Sequence, residues 1–393
     1  MTKDCNRKGN NSPAKQDSQI ADMVTRKLRL PLSILMAWPF IFLVSYCSVA
    51  NYLQRSFNPS AIAWPKTPPM GWSSWNAYQI NIDESVIEKA ANALVNSGME
   101  AAGYRYVNID GGWWDGTRDR NGNIVINTQQ WPGGMQAVVA YIHSKGLKAG
   151  IYTDVGINGC TGKMTNQGSY GHYLQDMMQF EQWGFDYVKV DWCGGKEMNL
   201  DPVTQYRQIH NALATATAQT RHPMLLSICN WGLADPWEWG PTTGNLWRTS
   251  TDISPQVNSV SWDGVLKNFD SATLSPASQT PGAYNDPDMM EVGVPGLTNI
   301  ENQSHFSLWA IAGAPLLAGN DLTSMSNTTK MILTNREVIA VDQDPLGLQG
   351  TLVSTDDTDS LQVWSKVLSR EGQRAAVLGI PVLLIIPESW ENT

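Results

Sequence analysis

Residues 187–193 read Tyr187-Val188-Lys189-Val190-Asp191-Trp192-Cys193. A short β-branched run ending in an acid, with glycines just after it, reads as a strand delivering a polar residue to its C-terminal end. Side chains alternate along a strand, so Lys189 and Asp191 share one face. Similar runs occur on both sides: Met70–Trp72, Tyr104–Ile109, Leu147–Tyr152, Met224–Cys229, Leu246–Thr249, a short Gly282–Tyr284, and Ala310–Leu317. Apolar stripes with helical spacing separate most of them, at Ser85–Ser97, Met135–Lys145, Gly171–Trp183, Pro202–Ala218 and Val257–Phe269. Eight strands alternating with helices over about 250 residues predict an α/β fold, a (β/α)8 TIM barrel. A doubly wound open sheet requires a glycine-rich phosphate turn after its first strand. Gly71-Trp72-Ser73-Ser74-Trp75 is not one.

A barrel collects its functional residues at the C-terminal strand ends. The first strand here ends near Trp72 and Trp75, the second at Asp110, and the third at Tyr152 and Asp154. The fourth carries Lys189 and Asp191, and the fifth ends at Cys229, Asn230 and Trp231. The sixth carries Arg248, with Asp252 four residues on, and the seventh region offers Asn285, Asp286 and Asp288. A lone Asp at a strand end is commonly a cap or turn residue. Capping, however, calls for neither a neighbouring Trp nor a Lys two residues earlier on the same face. Asp191 and Asp252 fit the two carboxylates of glycoside hydrolysis, one ionised and one protonated. A cation at Lys189 favours ionised Asp191. A metal reading would draw on Asp110, Asp154 and Asp288. No His joins them from a strand end, so no metal or other cofactor is expected. No Ser/His/Asp set is apparent among the five His.

Composition narrows the partners. The hydrophobic fraction is 42% and the charged fraction 16%, which excludes a disordered chain. Net charge is −9 with no basic run in the body, which argues against nucleic acid. Trp (17) outnumbers Phe (7). Indoles suit either sugar faces or a packed core, and composition alone leaves both open.

Residues 1–60 read as a leader. No charge occurs from Leu30 to Gln54, Arg26, Lys27 and Arg29 precede that run, and Ser48-Val49-Ala50 resembles a signal-peptidase site. With Met23 as a start, residues 23–50 form an ordinary signal peptide. Left uncleaved, residues 30–54 are long enough to span a bilayer as an anchor. Either way the body is exported, and membrane contact is confined to this segment.

Six motifs resemble the α-galactosidase (melibiase) family of retaining glycoside hydrolases, family 27. They are Pro69-Met-Gly-Trp-Ser-Ser-Trp-Asn76, Gly150-Ile-Tyr-Thr-Asp154, Tyr187–Cys193, Trp247-Arg-Thr-Ser-Thr-Asp-Ile253, Asn285-Asp-Pro-Asp-Met289 and Asp342-Gln-Asp-Pro-Leu-Gly347. The resemblance implies a barrel over 61–345 followed by an antiparallel β domain over 346–393. It implies Asp191 as nucleophile and Asp252 as acid/base. It implies sugar-binding roles for Trp75, Asp110, Tyr152, Lys189, Arg248 and Asp288, and a disulfide between Cys160 and Cys193. The substrate it implies is a terminal α-D-galactoside. The same mechanism on another sugar, as in isomalto-dextranase-like or β-L-arabinopyranosidase members, and a non-catalytic carbohydrate-binding protein are the alternatives.

Three departures stand out. The family often has two adjacent Asp after strand two, then Cys and Trp. Here the row is Asp110-Gly111-Gly112-Trp113. Many members have Cys-Glu-Trp after strand five, whereas here Asn230 stands between Cys229 and Trp231, an amide expected to reach the sugar in neutral form. The β domain reads as truncated, and Ala375–Ile386 leaves the family pattern.

Overall fold

The structure is a computed structural model that describes residues 65–253, 260–356, 361–370, 372–379 and 383–387. The expected leader, with its uncharged run 30–54, lies outside the described residues, as do residues 257–259 of one expected helix. Among the described residues no helix is long and apolar enough to cross a membrane.

Eight short strands run parallel: β1 (Met70–Ser73), β2 (Tyr106–Ile109), β3 (Lys148–Asp154), β4 (Tyr187–Asp191), β5 (Leu225–Cys229), β6 (Leu246–Arg248), β7 (Tyr284–Asp286) and β8 (Leu316–Ala318). Their order is β7-β6-β5-β4-β3-β2-β1-β8, the curl of a TIM-like barrel. β7 and β8 are joined through Met290, which bridges Ala318 in parallel, with its N–H 2.6 Å from Leu317 O. Between strands run α1 (Glu84–Asn96), α2 (Gly134–Ser144), α3 (Tyr173–Trp183), α4 (Pro202–Thr220), α5 (Trp262–Thr273) and α6 (Asn299–Ala312). Their starts follow local chemistry. Asp83 accepts from Val86 N–H at α1, Asp201 and Pro202 open α4, and Thr298 with Glu301 forms a capping box at α6.

Two expected strands shift. The seventh spans Tyr284–Asp286 rather than Gly282–Tyr284. Gly282 instead sits at φ 95° in a tight turn, where Thr280 and Ala283 exchange backbone hydrogen bonds. The eighth begins at Leu316, because Ala310–Ala312 complete α6. That helix is buried from Ser304 to Ala312, so its end is apolar all round and has no stripe to mark it as helical. Gly313, at φ 61°, closes it.

A four-stranded antiparallel sheet follows, with β9 (Thr351–Asp356), β10 (Leu361–Val367), β11 (Arg374–Gly379) and β12 (Leu383–Pro387) in the order β12-β11-β10-β9. It packs on α6. Trp364 meets Phe269 of α5 edge to face at 4.8 Å, and buried Lys366 donates to the carbonyls of Ala310 and Asp342.

Most of the described indoles pack the core. Trp72, Trp114, Trp131, Trp247 and Trp309 are fully buried, while Trp75 and Trp231 line the open mouth of the barrel.

Candidate active site

A cavity of about 320 Å³ opens at the C-terminal strand ends. Its wall includes Trp75, Asp110, Tyr152, Lys189, Asp191, Arg248, Asp252 and Asp288, together with both cysteines Cys160 and Cys193. All the expected site residues but one therefore meet at a single pocket.

Register explains much of this convergence. Tyr152 pairs with Lys189 and Asp154 with Asp191 across β3 and β4. Lys189 Nζ lies 2.9 Å from Asp110 Oδ2 and 5.5 Å from the Tyr152 ring centroid. Asp110 also accepts from Ser73 Oγ and from Gly111 N–H. Asp191 accepts the Trp192 N–H at 2.9 Å and is buried. Burial raises its pKa, and the Lys189 charge opposes that rise.

Arg248 bridges two carboxylates. Its Nη1 sits 2.9 Å from Asp288 and its Nη2 3.0 Å from Asp252. Asp252 is 49% exposed, and although burial in the wall raises its pKa, the Arg248 guanidinium wins and holds it below the usual value. Burial pushes Asp288 up to about 6 against the same cation. Asp288 adopts φ 109°, a region that non-glycine residues rarely occupy. Several contacts hold it there. Its carbonyl accepts Trp309 Nε1–H, its N–H donates to Asp286, and its carboxylate accepts from Ile253 and Met289 N–H.

Cys160 and Cys193 form a disulfide, which joins the loop after β3 to the turn after β4. The backbones of these loops nearly touch. A Cβ on Gly156 would lie 2.1 Å from the Gly194 carbonyl carbon, so only glycine fits. Cys229 is a buried free thiol.

Asn230 is the residue not brought to the pocket. Its amide donates to Leu233 O at 2.6 Å, and its Oδ1 is buried without a partner. The left-handed backbone at Trp231 (φ 58°) turns the next side chain, Trp231, into the wall instead. The pocket also contains residues the sequence reading missed: Asn76, Gln79, Met289, Val294 and Glu291. Glu291 accepts from Asn76 Nδ2 at 2.6 Å, and burial pushes its pKa up to about 8. Its position three residues past Asp288 was the available signal.

The carboxylates raised in the metal reading do not gather. Asp110 and Asp288 each sit on a cation. Among the described residues, the group of His, Cys, Asp and Glu side chains close enough to share an ion, Asp154, Cys160, Asp191 and Cys193, has both sulfurs in the disulfide. Its donor set does not suit a thiolate-bound metal.

Comparisons with known proteins identify the family. The family model described as "Alpha galactosidase A" (Melibiase_2) matches residues 67–344. The chain is 46% identical over 311 residues to "Alpha-galactosidase A" of Cellvibrio japonicus, covering 78% of this chain and 74% of that one. It is 44% identical over 313 residues to an "Alpha-galactosidase" of Oryza sativa, covering 80% and 71%. The crystal structure of alpha-galactosidase I from Mortierella vinacea superposes with a TM-score of 0.74 at 33% identity, covering 82% and 83%. By this match and these relatives, the chain belongs to the alpha-galactosidase (melibiase) family of glycoside hydrolases.

Proposed function

We propose that this protein is an exported retaining α-galactosidase that hydrolyses terminal α-D-galactosides. One observation carries the assignment: Asp191 and Asp252 face the same pocket, Asp191 within the field of Lys189 and Asp252 paired with Arg248. Asp191 attacks the anomeric carbon and forms a covalent glycosyl-enzyme. Asp252 protonates the departing oxygen, then takes a proton from the water that releases the sugar. Substrate filling the mouth removes water from half-exposed Asp252, which raises its pKa toward that of an acid. Asp110 and Lys189 offer an acceptor and a donor to ring hydroxyls, Arg248 and Asp288 form a second such pair, and Trp75 covers an apolar sugar face.

Specificity turns on position 111. A Cβ on Gly111 would lie 2.4 Å from Met164 Cε and 3.4 Å from the Trp75 ring. A thioether therefore occupies the place where the family often has a second Asp. This favours a second reading, activity on β-L-arabinopyranosides, which share the ring configuration of galactose without its hydroxymethyl group. The oxidised Cys160–Cys193 pair and the plant relative support the secretory pathway. We assign the barrel to 61–345, the β domain to 346–393 and any membrane contact to residues 30–54. A panel of aryl glycosides tests the reading. α-Galactosides should be cut fastest, and Gly111→Asp, accommodated by movement of the flexible Met164 end, should widen their lead over arabinopyranosides. Faster cleavage of α-glucosides contradicts it.

A further inference from the structure

Asp154 is wholly buried at the end of β3, directly opposite Asp191 in the β3–β4 register. Carboxyl oxygens of the two residues lie within 4.8 Å of each other. Asp154 Oδ1 accepts the N–H groups of Gly156 at 2.7 Å and Gly194 at 3.0 Å, one from each of the loops joined by the disulfide. Its Oδ2 is out of contact with water and has no hydrogen-bond partner. Asp154 lacks the cation that Asp191 has in Lys189, two residues back on the same strand face. The titratable groups around Asp154 are Asp191 on β4, Tyr152 on its own strand, Tyr173 on α3 and Tyr206 on α4. None is a cation.

Two buried carboxyls this close cannot both ionise cheaply, so the pair keeps one proton. We propose that Asp154 is a positioning residue for the nucleophile: its carboxyl keeps the proton of the Asp154–Asp191 pair on Oδ2, leaving Asp191 ionised, while Oδ1 clamps the two disulfide-linked loops beside it. The division follows from the surroundings. A proton on Oδ2 neutralises a group with no counter-charge, whereas the charge on Asp191 is stabilised by Lys189. Burial and the Asp191 charge raise the Asp154 pKa to about 8.

The inference rests on Asp191 being the nucleophile, so its test has an arm independent of turnover. A carboxyl whose pKa is raised on folding stabilises the fold most below its unfolded pKa. That stability is lost as pH rises through the folded value. Wild-type Tm should therefore fall between about pH 4 and about pH 8 relative to Asp154→Asn, which carries no titrating proton, and the difference should level off at higher pH. Asp191→Asn removes the neighbouring charge, so the fall should move to lower pH, and this comparison stands even if Asp154→Asn does not fold. In turnover, Asp154→Asn keeps both the acceptor and a donor, and should lose less than about tenfold in kcat/KM. Asp154→Ala frees the loops and should lose about 100-fold or more. A Tm difference that is flat with pH, together with an unmoved fall in Asp191→Asn, overturns the proposal. Absence of galactosidase activity in an otherwise folded wild type would instead refute the proposed function and leave the Tm arm readable.

Discussion

Lys189 Nζ makes its ion pair with Asp110 Oδ2, at 2.9 Å, and not with Asp191 two residues along its own strand. The cation thus fastens β4 to the turn after β2 and acts on the nucleophile through space. Both functions are lost together in Lys189→Met. Asp110 would be left buried and unpaired, at a cost of about 3–5 kcal/mol. Asp191 would lose the charge that opposes its burial, so its pKa would rise. We expect a lower Tm and an acid limb of kcat/KM moved to higher pH, measured by thermal melts and a pH–rate profile. An unmoved acid limb in folded protein would show that Lys189 does not tune Asp191.

Asp252 is held by Arg248 below the usual carboxylate pKa before substrate arrives. Its work as acid matters only when the leaving group needs a proton. Asp252→Asn should cost about 10²–10⁴-fold on alkyl galactosides and natural oligosaccharides. The loss of the glycosylation step should be much smaller on dinitrophenyl galactoside, whose anion leaves unaided. Pre-steady-state release of the phenolate measures that step. Equal losses on both substrates would remove Asp252 from the acid role.

The disulfide links two cysteines 33 positions apart in sequence, Cys160 and Cys193. Chain-entropy reasoning puts its contribution at about 3–4 kcal/mol. Because it also pins two walls of the pocket, Cys160→Ser paired with Cys193→Ser should lower Tm and raise KM together. Peptide mapping of unreduced wild type should find this link and a free Cys229. A Tm unchanged by the double substitution contradicts the structural role.

Much of the site was legible because a barrel reduces the question to what stands at each strand end. Period-two alternation along a strand is enough to place Lys189 and Asp191 on one face. Resemblance, rather than spacing, supplied the cysteine pairing. Three features were not legible for physical reasons. The direction of Asn230 depends on one left-handed residue, Trp231, and a strained backbone at a non-glycine position leaves no mark in composition. The end of α6 looked like a strand because burial on all sides erases helical periodicity. The pairing of Lys189 with Asp110 was not legible because Asp110 comes from the end of β2, two strands away in the sheet, a proximity that sequence spacing does not encode. For Glu291 the sequence offers only its position three residues past Asp288, and it reaches the wall because the segment after β7 curls back to bridge β8 through Met290.

The central claim is that Asp191 and Asp252 act by double displacement on a terminal α-galactoside. Proton NMR of the first sugar released from an aryl α-D-galactoside, recorded before mutarotation, tests it most directly. The account predicts that the α-anomer of galactose appears first and that Asp191→Ala abolishes its appearance. Initial release of β-galactose would contradict the covalent mechanism and the roles given to both carboxylates.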